Sequence, residues 1–600
     1  MLLTETPEHS NCFYTCITMR LCLFSFILLG ANGFSTPTTT NTRTSSLTNP
    51  NKIAYNSAHH AIQASSQTTD EIDITKTEIK VEETDVVVIG SGFGGLSCAA
   101  LTSKYNLETI CVEAHDTPGG VAHSFSRYNA KATKDKKIPF RFDSGPSLIS
   151  GLSSKSTNPL RQVLDAVNVS DEIEWCTYDG WIVHDYADNT KFKVQTGNRK
   201  LFEDIIEQKA GVQSRKEFER LCEEMLKPNG LTDVSGYIPP FALRGDATVI
   251  VSLLQYLFKF LLIGTKGTLL TGPFTLTLDK YNVHDEFVRK WFDYLAFALS
   301  GLDAAHTQAA PVSYTMGDLH KDGCVLDYPK GGMDSLIDAL VHGMQNHGGE
   351  LRLNSRVEKF LLNDKDGKAH CEGVVLDNGS IIKARKGVVC NAPLWNMAKI
   401  LEDSVSDDNN QSSCVKNAVA KVREQANDME MTGSFMHLHL GIPKEGINEE
   451  ELELHYSVLN FDEDVTAEQN LVIISIPTVV DPTLAPEGYH IVHAYTAASE
   501  KFTDWDEFLN EGKDIGKVGS KPSSIAATSY NKKDGYDDLK HEKAEALWRA
   551  IETIIPDVRE RADREDAIKI VGTPLTHRRY NQRFRGTYGP APSNGKDVVS

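Results

Sequence analysis

Residues 85–95 read Asp85-Val86-Val87-Val88-Ile89-Gly90-Ser91-Gly92-Phe93-Gly94-Gly95. Val86 to Ile89 is an apolar, β-branched run that predicts a strand. The six residues from Gly90 form Gly-x-Gly-x-x-Gly, and Leu96 to Leu101 continue with Ala and Leu at helical spacing. Thr109-Ile110-Cys111-Val112-Glu113 reads as a second strand ending in an acid, with Glu113 18 positions after Gly95. Strand, glycine turn, helix, strand and acid in that order predict a dinucleotide site.

Each position has a physical task. Gly90 permits the tight turn, Gly92 lets backbone approach a pyrophosphate, and Gly95 lets the helix pack closely on the strand. Ser91 and Phe93 fill the variable places of the loop. The helix N-terminus offers free N–H groups and a positive dipole end to phosphate. Glu113 is placed to accept hydrogen bonds from ribose hydroxyls.

The 600-residue chain is too long for one ordinary core. Its 62 Lys+Arg against 82 Asp+Glu give a net charge of −20, which repels phosphate backbones and argues against nucleic-acid binding. The 11 cysteines are scattered without CxxC or zinc spacing, so neither a disulfide scaffold nor a structural zinc site is expected. Residues 9–69 contain no Asp or Glu. The apolar run Leu21 to Gly30 is too short to span a bilayer, and Ala31-Asn32-Gly33 follows it as a small-residue cleavage site. Residues 1–80 are therefore read as a targeting presequence, with a signal peptide at about 19–33 and a Ser/Thr/Asn-rich transit-like stretch at 34–80. This two-part pattern resembles presequences of plastid proteins and implies a plastid (chloroplast) location.

Pro118-Gly119-Gly120 follows Glu113 closely, and no second Gly-x-Gly-x-x-Gly is present. Here the sequence resembles the two-dinucleotide-binding flavoproteins, in which Gly119 and Gly120 would lie along FAD phosphates. Gly119 to Phe125, Arg141 to Ser147 and Tyr328-Pro329-Lys330-Gly331-Gly332-Met333 resemble the carotenoid desaturase and isomerase group. So do a helix from Ser335 to about His347 and the segment Gly387 to Ala392. A strand from Leu351 to Val357 would place the Val357 backbone against the FAD adenine. Ser434 to Gly441, Asp481 to Gly488 and Gly572 to Tyr580, continuing to Gly586-Thr587-Tyr588-Gly589-Pro590, favour the isomerase branch.

The resemblance implies an α/β fold, with a Rossmann-like FAD-binding domain interleaved with an α+β substrate domain. The FAD-binding parts are expected at 84–165 and 325–410, and the substrate parts at 166–324 and 411–566. Residues 567–600 are expected to begin a C-terminal FAD segment and to stop short, because a Gly-Asp-Ser…Pro-Gly-x-Gly motif of that group is missing. The implied activity is redox-neutral cis-to-trans isomerisation of a poly-cis carotenoid such as prolycopene, with FAD in its reduced form. A desaturase or saturase, or an inactive polyene-binding relative, fits the same motifs. No catalytic acid or base is identifiable. A water-insoluble polyene also implies peripheral association with a plastid membrane.

Other candidates have plainer readings. His437 and His439 alternate on an expected strand and face one side, as two ligands would, but no third ligand lies at short spacing and no metal site is expected. His490 and His493 read as core histidines. His577-Arg578-Arg579 suits the flavin region, a carboxylate or a surface salt bridge. Trp291 to Tyr294 reads as core packing or a tunnel wall. Thr248 to Ile263 shows one narrow polar stripe and is read as a buried substrate-domain helix or one that dips into a leaflet. Glu402 to Ser413 and Gly512 to Asp538 read as loops.

Overall fold

The computed structural model describes residues 80–133, 138–145, 147–236, 266–406, 411–509 and 532–591. Residues 1–79, within the expected presequence, Thr248 to Ile263, most of Gly512 to Asp538, expected as a loop, and residues 592–600 lie outside the described residues.

The Val81–Ile89 strand is the centre of a six-stranded sheet. It pairs in parallel with Thr109–Val112 on one side and with Ile381–Cys390 on the other. Glu350–Arg352 extends the parallel part beyond Thr109–Val112. Lys368–Leu376 and Val357–Lys365 add two antiparallel strands at the opposite edge. A central parallel strand is covered on both faces, which explains its continuous apolar run. Val86 and Val88 pack with Leu96, Ala99 and Leu336 on one face. Val87 and Ile89 pack with Phe360, Leu394 and Met397 on the other. The first face is closed by the helices Phe93–Lys104 and Asp334–Gln345.

A second sheet has seven strands, ordered Ile568–Gly572, His437–Pro443, Tyr489–Thr496, Val472–Ser475, His455–Leu459, Gly180–Asp185 and Thr190–Gln195. Its pairs are antiparallel except His455–Leu459 with Gly180–Asp185. Side chains alternate strictly here. Leu438, Leu440, Val492 and Ala494 face the helix Tyr536–Glu552 through Leu547 and Ile551. The intervening residues His437, His439 and His493 face the other way, toward the first sheet's loops. Helices within 199–235 and 266–320 pack around Phe202, Phe218, Trp291 and Phe292.

Four expectations change. The single strand expected over Leu351 to Val357 is two strands, broken at Asn354, which has φ +51°. The loop expected from Glu402 is helical as far as Ser406, because Leu401 and Ser404 turn inward and Ser404 Oγ accepts the Phe360 N–H at 2.8 Å. The helix Ser413–Asp428, expected with the substrate part, packs Val419 and Ala426 into the first sheet's core. Ile568–Gly572, expected with the FAD part, is an edge strand of the second sheet.

Candidate functional site

The glycine loop sits at the end of the central strand. Gly90 has φ +90°, a conformation only glycine adopts without strain. A Cβ on Gly95 would lie 1.9 Å from Gly90 O, so helix and strand meet at backbone distance. The helix Phe93–Lys104 begins without a side-chain cap and without an acid in its first turn. Its N-terminal N–H groups are left for an external anion.

The second glycine pair closes on the first. Gly92 bridges Gly119, and Gly119 N–H donates to Ser91 O at 3.0 Å. Gly120 has φ +59°, and a Cβ there would stand 3.4 Å from Gly92 Cα. Glu113 Oε2 accepts from Ser91 N–H (2.8 Å) and Ser91 Oγ (2.7 Å), while Oε1 accepts from His115 N–H (2.9 Å). The acid therefore shapes the loop as well as facing any ribose. Asn354 N–H reaches His115 O and Ser355 N–H reaches Glu113 O, which brings Val357, buried at the start of its strand, to the same end of the site. Phe93 packs against the neighbouring core.

These residues fit a flavin dinucleotide. The cradle is built of glycines whose missing Cβ atoms leave room for a pyrophosphate. Two buried polar atoms at its rim, Asn391 Oδ1 and His115 Nε2, have no protein partner. Asn391 Nδ2 stands 3.3 Å from the Cβ positions of both Gly92 and Gly95. Asn391, His115 and the half-buried Arg356, which lies beside Glu113 and Asp377, were not singled out by the motif reading.

Three distant segments meet at Asp143, which is 8% exposed. Its Oδ1 accepts from Ser124 Oγ (2.8 Å) and Met333 N–H (2.9 Å), and its Oδ2 accepts from Tyr328 OH (2.9 Å). Burial pushes its carboxyl above the usual range against those hydrogen bonds. Gly332 has φ +89°, and a Cβ there would come within 3.0 Å of Asp143 Oδ1. Asp481 joins the group by accepting Gly331 N–H at 2.7 Å. Four of the motif segments that carried the resemblance are thus one hydrogen-bonded assembly beside the double-glycine limb.

The histidines form a second assembly. His439 lies directly across from His493, and the two rings stack at 4.0 Å. His437 Nδ1 and His493 Nε2 are 3.0 Å apart, and His439 Nε2–H donates to Asp143 O at 3.2 Å. His455 continues the row, with Nδ1 2.9 Å from Tyr178 OH and Nε2 3.4 Å from Ser147 Oγ. Burial lowers all four, His439 to about 4 and His455 to about 3. His437, His439 and His493 each bring a ring nitrogen within 4.8 Å of the others. Their planes lie within 19° of parallel, however. A metal must sit in the plane of each imidazole at about 2.0–2.1 Å, which stacked rings do not allow.

Of the remaining candidates, His490 bonds Thr478 Oγ1 at 2.9 Å, and Trp291 packs against Trp181 and Phe202. His577 and Arg578 are buried on the helix Pro574–Asn581.

Comparison with known proteins agrees with this architecture. The chain is 28% identical over 86% of its length to prolycopene isomerase 2, chloroplastic, of an Oncidium hybrid cultivar, and covers 76% of that protein. It is 26% identical over 85% of its length to the chloroplastic prolycopene isomerase of Arabidopsis thaliana, covering 74%. The all-trans-retinol 13,14-reductase of Danio rerio matches at 23% over 84% of the chain and 77% of that protein. A cofactor-binding mutant of putrescine oxidase superposes with a TM-score of 0.50 at 13% identity, over 86% of this chain and 90% of that one, and shares the α/β flavoprotein fold. The family model described as flavin containing amine oxidoreductase matches residues 93–508, well over half of the chain, and the protein belongs to that family.

Proposed function

We propose that this protein is an FAD-dependent enzyme that converts a poly-cis carotenoid such as prolycopene to the all-trans form without net redox change. The observation that carries the reading is the assembly at Asp143. It joins segments 119–125, 141–147, 328–333 and 481–488 beside the glycine cradle, in a chain whose named relatives include prolycopene isomerases.

Rotation about a conjugated double bond is slow because it breaks π overlap. A reduced flavin, when bound, supplies transient electron or hydride donation that lowers the bond order. The chain's own part is positional. Gly90, Gly92, Gly95, Gly119 and Gly120 hold the phosphates on backbone N–H groups, with Ser91 and Phe93 fixing the loop. Glu113 and Val357 hold the adenosine end. Asp143 fixes the double-glycine limb against the second sheet, and the buried histidine face keeps that boundary dry and uncharged. We take the FAD-binding and substrate parts to interleave along the chain, with Ser413–Asp428 on the FAD side and Ile568–Gly572 on the substrate side.

The retinol reductase and phytoene desaturases among the relatives favour a second reading, net reduction or oxidation of a polyene. Purified protein incubated anaerobically with FAD, dithionite and poly-cis carotenoid separates them. All-trans product of unchanged mass supports isomerisation. Product changed by two hydrogens overturns it in favour of the oxidoreductase. We also place the protein in the plastid, from the presequence pattern. We infer peripheral attachment to a membrane there, from the insolubility of the substrate. Among the described residues no helix is long and apolar enough to cross a membrane.

A further inference from the structure

We propose that His437, His439 and His493 form a proton-accepting site that balances the negative charge a bound flavin gains on two-electron reduction. The inference rests on the flavin reading above.

Position comes first. Glu113 and Ser355–Val357 occupy one end of the glycine loop. The other end leads through Gly120 and His123, where Ser144 N–H donates to His123 O at 3.0 Å, to Asp143. The Asp143 carbonyl receives His439 Nε2–H. The half of a dinucleotide not held at Glu113 therefore runs toward the limb backed by the histidine face.

Capacity comes second. His439 donates through Nε2, so its Nδ1 is a bare lone pair, buried and without a partner. His437 Nδ1 and His493 Nε2 share one N–H, so one of the two outer nitrogens of that pair is a second bare lone pair, and His437 Nε2 is buried without a partner. Unpaired buried acceptors are costly and rare in folded proteins. Two of them in one stacked row mark a place where a proton can be added without moving a side chain.

The resting state comes third. Burial disfavours the charged form of each ring. The groups that act on the three are one another, His577, His455 and Arg127, which oppose a positive charge, and the Asp143 carbonyl, which favours one on His439. Tyr178, Tyr495 and Tyr588 pack nearby, with burial raising Tyr178 and Tyr495. No carboxylate faces the row among these groups. The face stays neutral until an anion arrives, and mutual repulsion limits it to one proton. Reduction of a bound flavin by a two-electron donor such as dithionite would bring two electrons and one proton to the flavin, leaving one net negative charge, and one further proton would pass from solvent to an imidazole nitrogen, forming N–H. Reoxidation would return the two electrons to an acceptor and both protons to solvent.

The test counts protons. FAD-loaded protein is reduced anaerobically by a stoichiometric two-electron titrant in weak buffer at about pH 6.5 with an indicator dye. The wild type is expected to take up about one proton more per flavin than the combined variant His437→Gln, His439→Gln, His493→Gln. Equal uptake in a variant that keeps the wild-type flavin absorbance overturns the proposal. For the wild type alone, the reduced-minus-oxidised infrared spectrum is expected to gain imidazolium ring modes, and a spectrum without them overturns it too. Failure to bind FAD at all removes the flavin reading and this inference together. A flavoprotein with neither proton signal removes the inference only.

Discussion

The glycine loop and the histidine face solve opposite problems on the two sides of Asp143. At the loop, side chains are deleted so that backbone N–H groups and a helix dipole can meet an anion. At the face, side chains are crowded until aromatic nitrogens stack and lose their charge. The loop is preorganised for negative charge that arrives with a ligand. The face is preorganised to hold none. Asp143 is the joint between them, with its carboxylate tied to the glycine side and its carbonyl to the histidine side.

The sharpest way to break the loop alone is Gly95→Val. Its Cβ would stand 1.9 Å from Gly90 O, and backbone cannot yield there. We expect loss of flavin absorbance in the purified protein and a destabilisation of at least about 3 kcal/mol in urea unfolding. Breaking the joint is next. Asp143→Ala leaves Ser124 Oγ, Tyr328 OH and Met333 N–H without their acceptor, at about 2–3 kcal/mol. Asp143→Asn keeps an acceptor and should lose less than half as much by the same measurement.

The smallest effect belongs to the face and depends on pH. His439 is lowered from 6.5 to about 4, so the unfolded chain binds more protons between those values. Its contribution is fully present above about pH 6.5 and is lost as pH falls toward 4. That amounts to about 2 kcal/mol between pH 7 and pH 5 for this one ring. Glu500, raised to about 7 by burial, acts with the opposite sign and softens the slope. Thermal midpoints across that range should fall less steeply in His439→Gln than in the wild type. Equal slopes would remove the face as the source.

The same contrast explains what could be read in advance. The loop is contiguous, so its chemistry is written in eleven neighbouring residues, Asp85 to Gly95. Glu113 and Gly119 follow on the next strand and turn. The histidine face is built across strands, with His493 56 positions from His437, and strand pairing is not encoded at short spacing. His437 and His439 could be placed on one side by alternation alone, but their partner could not. Asn391 and His115 were invisible for the same reason: each matters only through what the fold sets beside it. The polar run at Glu402 misled because polarity on one helix face looks like a loop until Leu401 and Ser404 are seen to turn inward.

The pairing of Val81 with Ile381 has a consequence for biogenesis. The first parallel strand must wait for a neighbour 381 − 81 = 300 positions later. At the roughly 5–20 residues per second of synthesis, that neighbour appears some 15–60 s afterwards. Throughout that interval the buried Val86 to Ile89 stretch of that strand has one open edge, a template for pairing with the wrong chain. A nascent chain of this design gains from anything that covers that edge until residue 381 has been made.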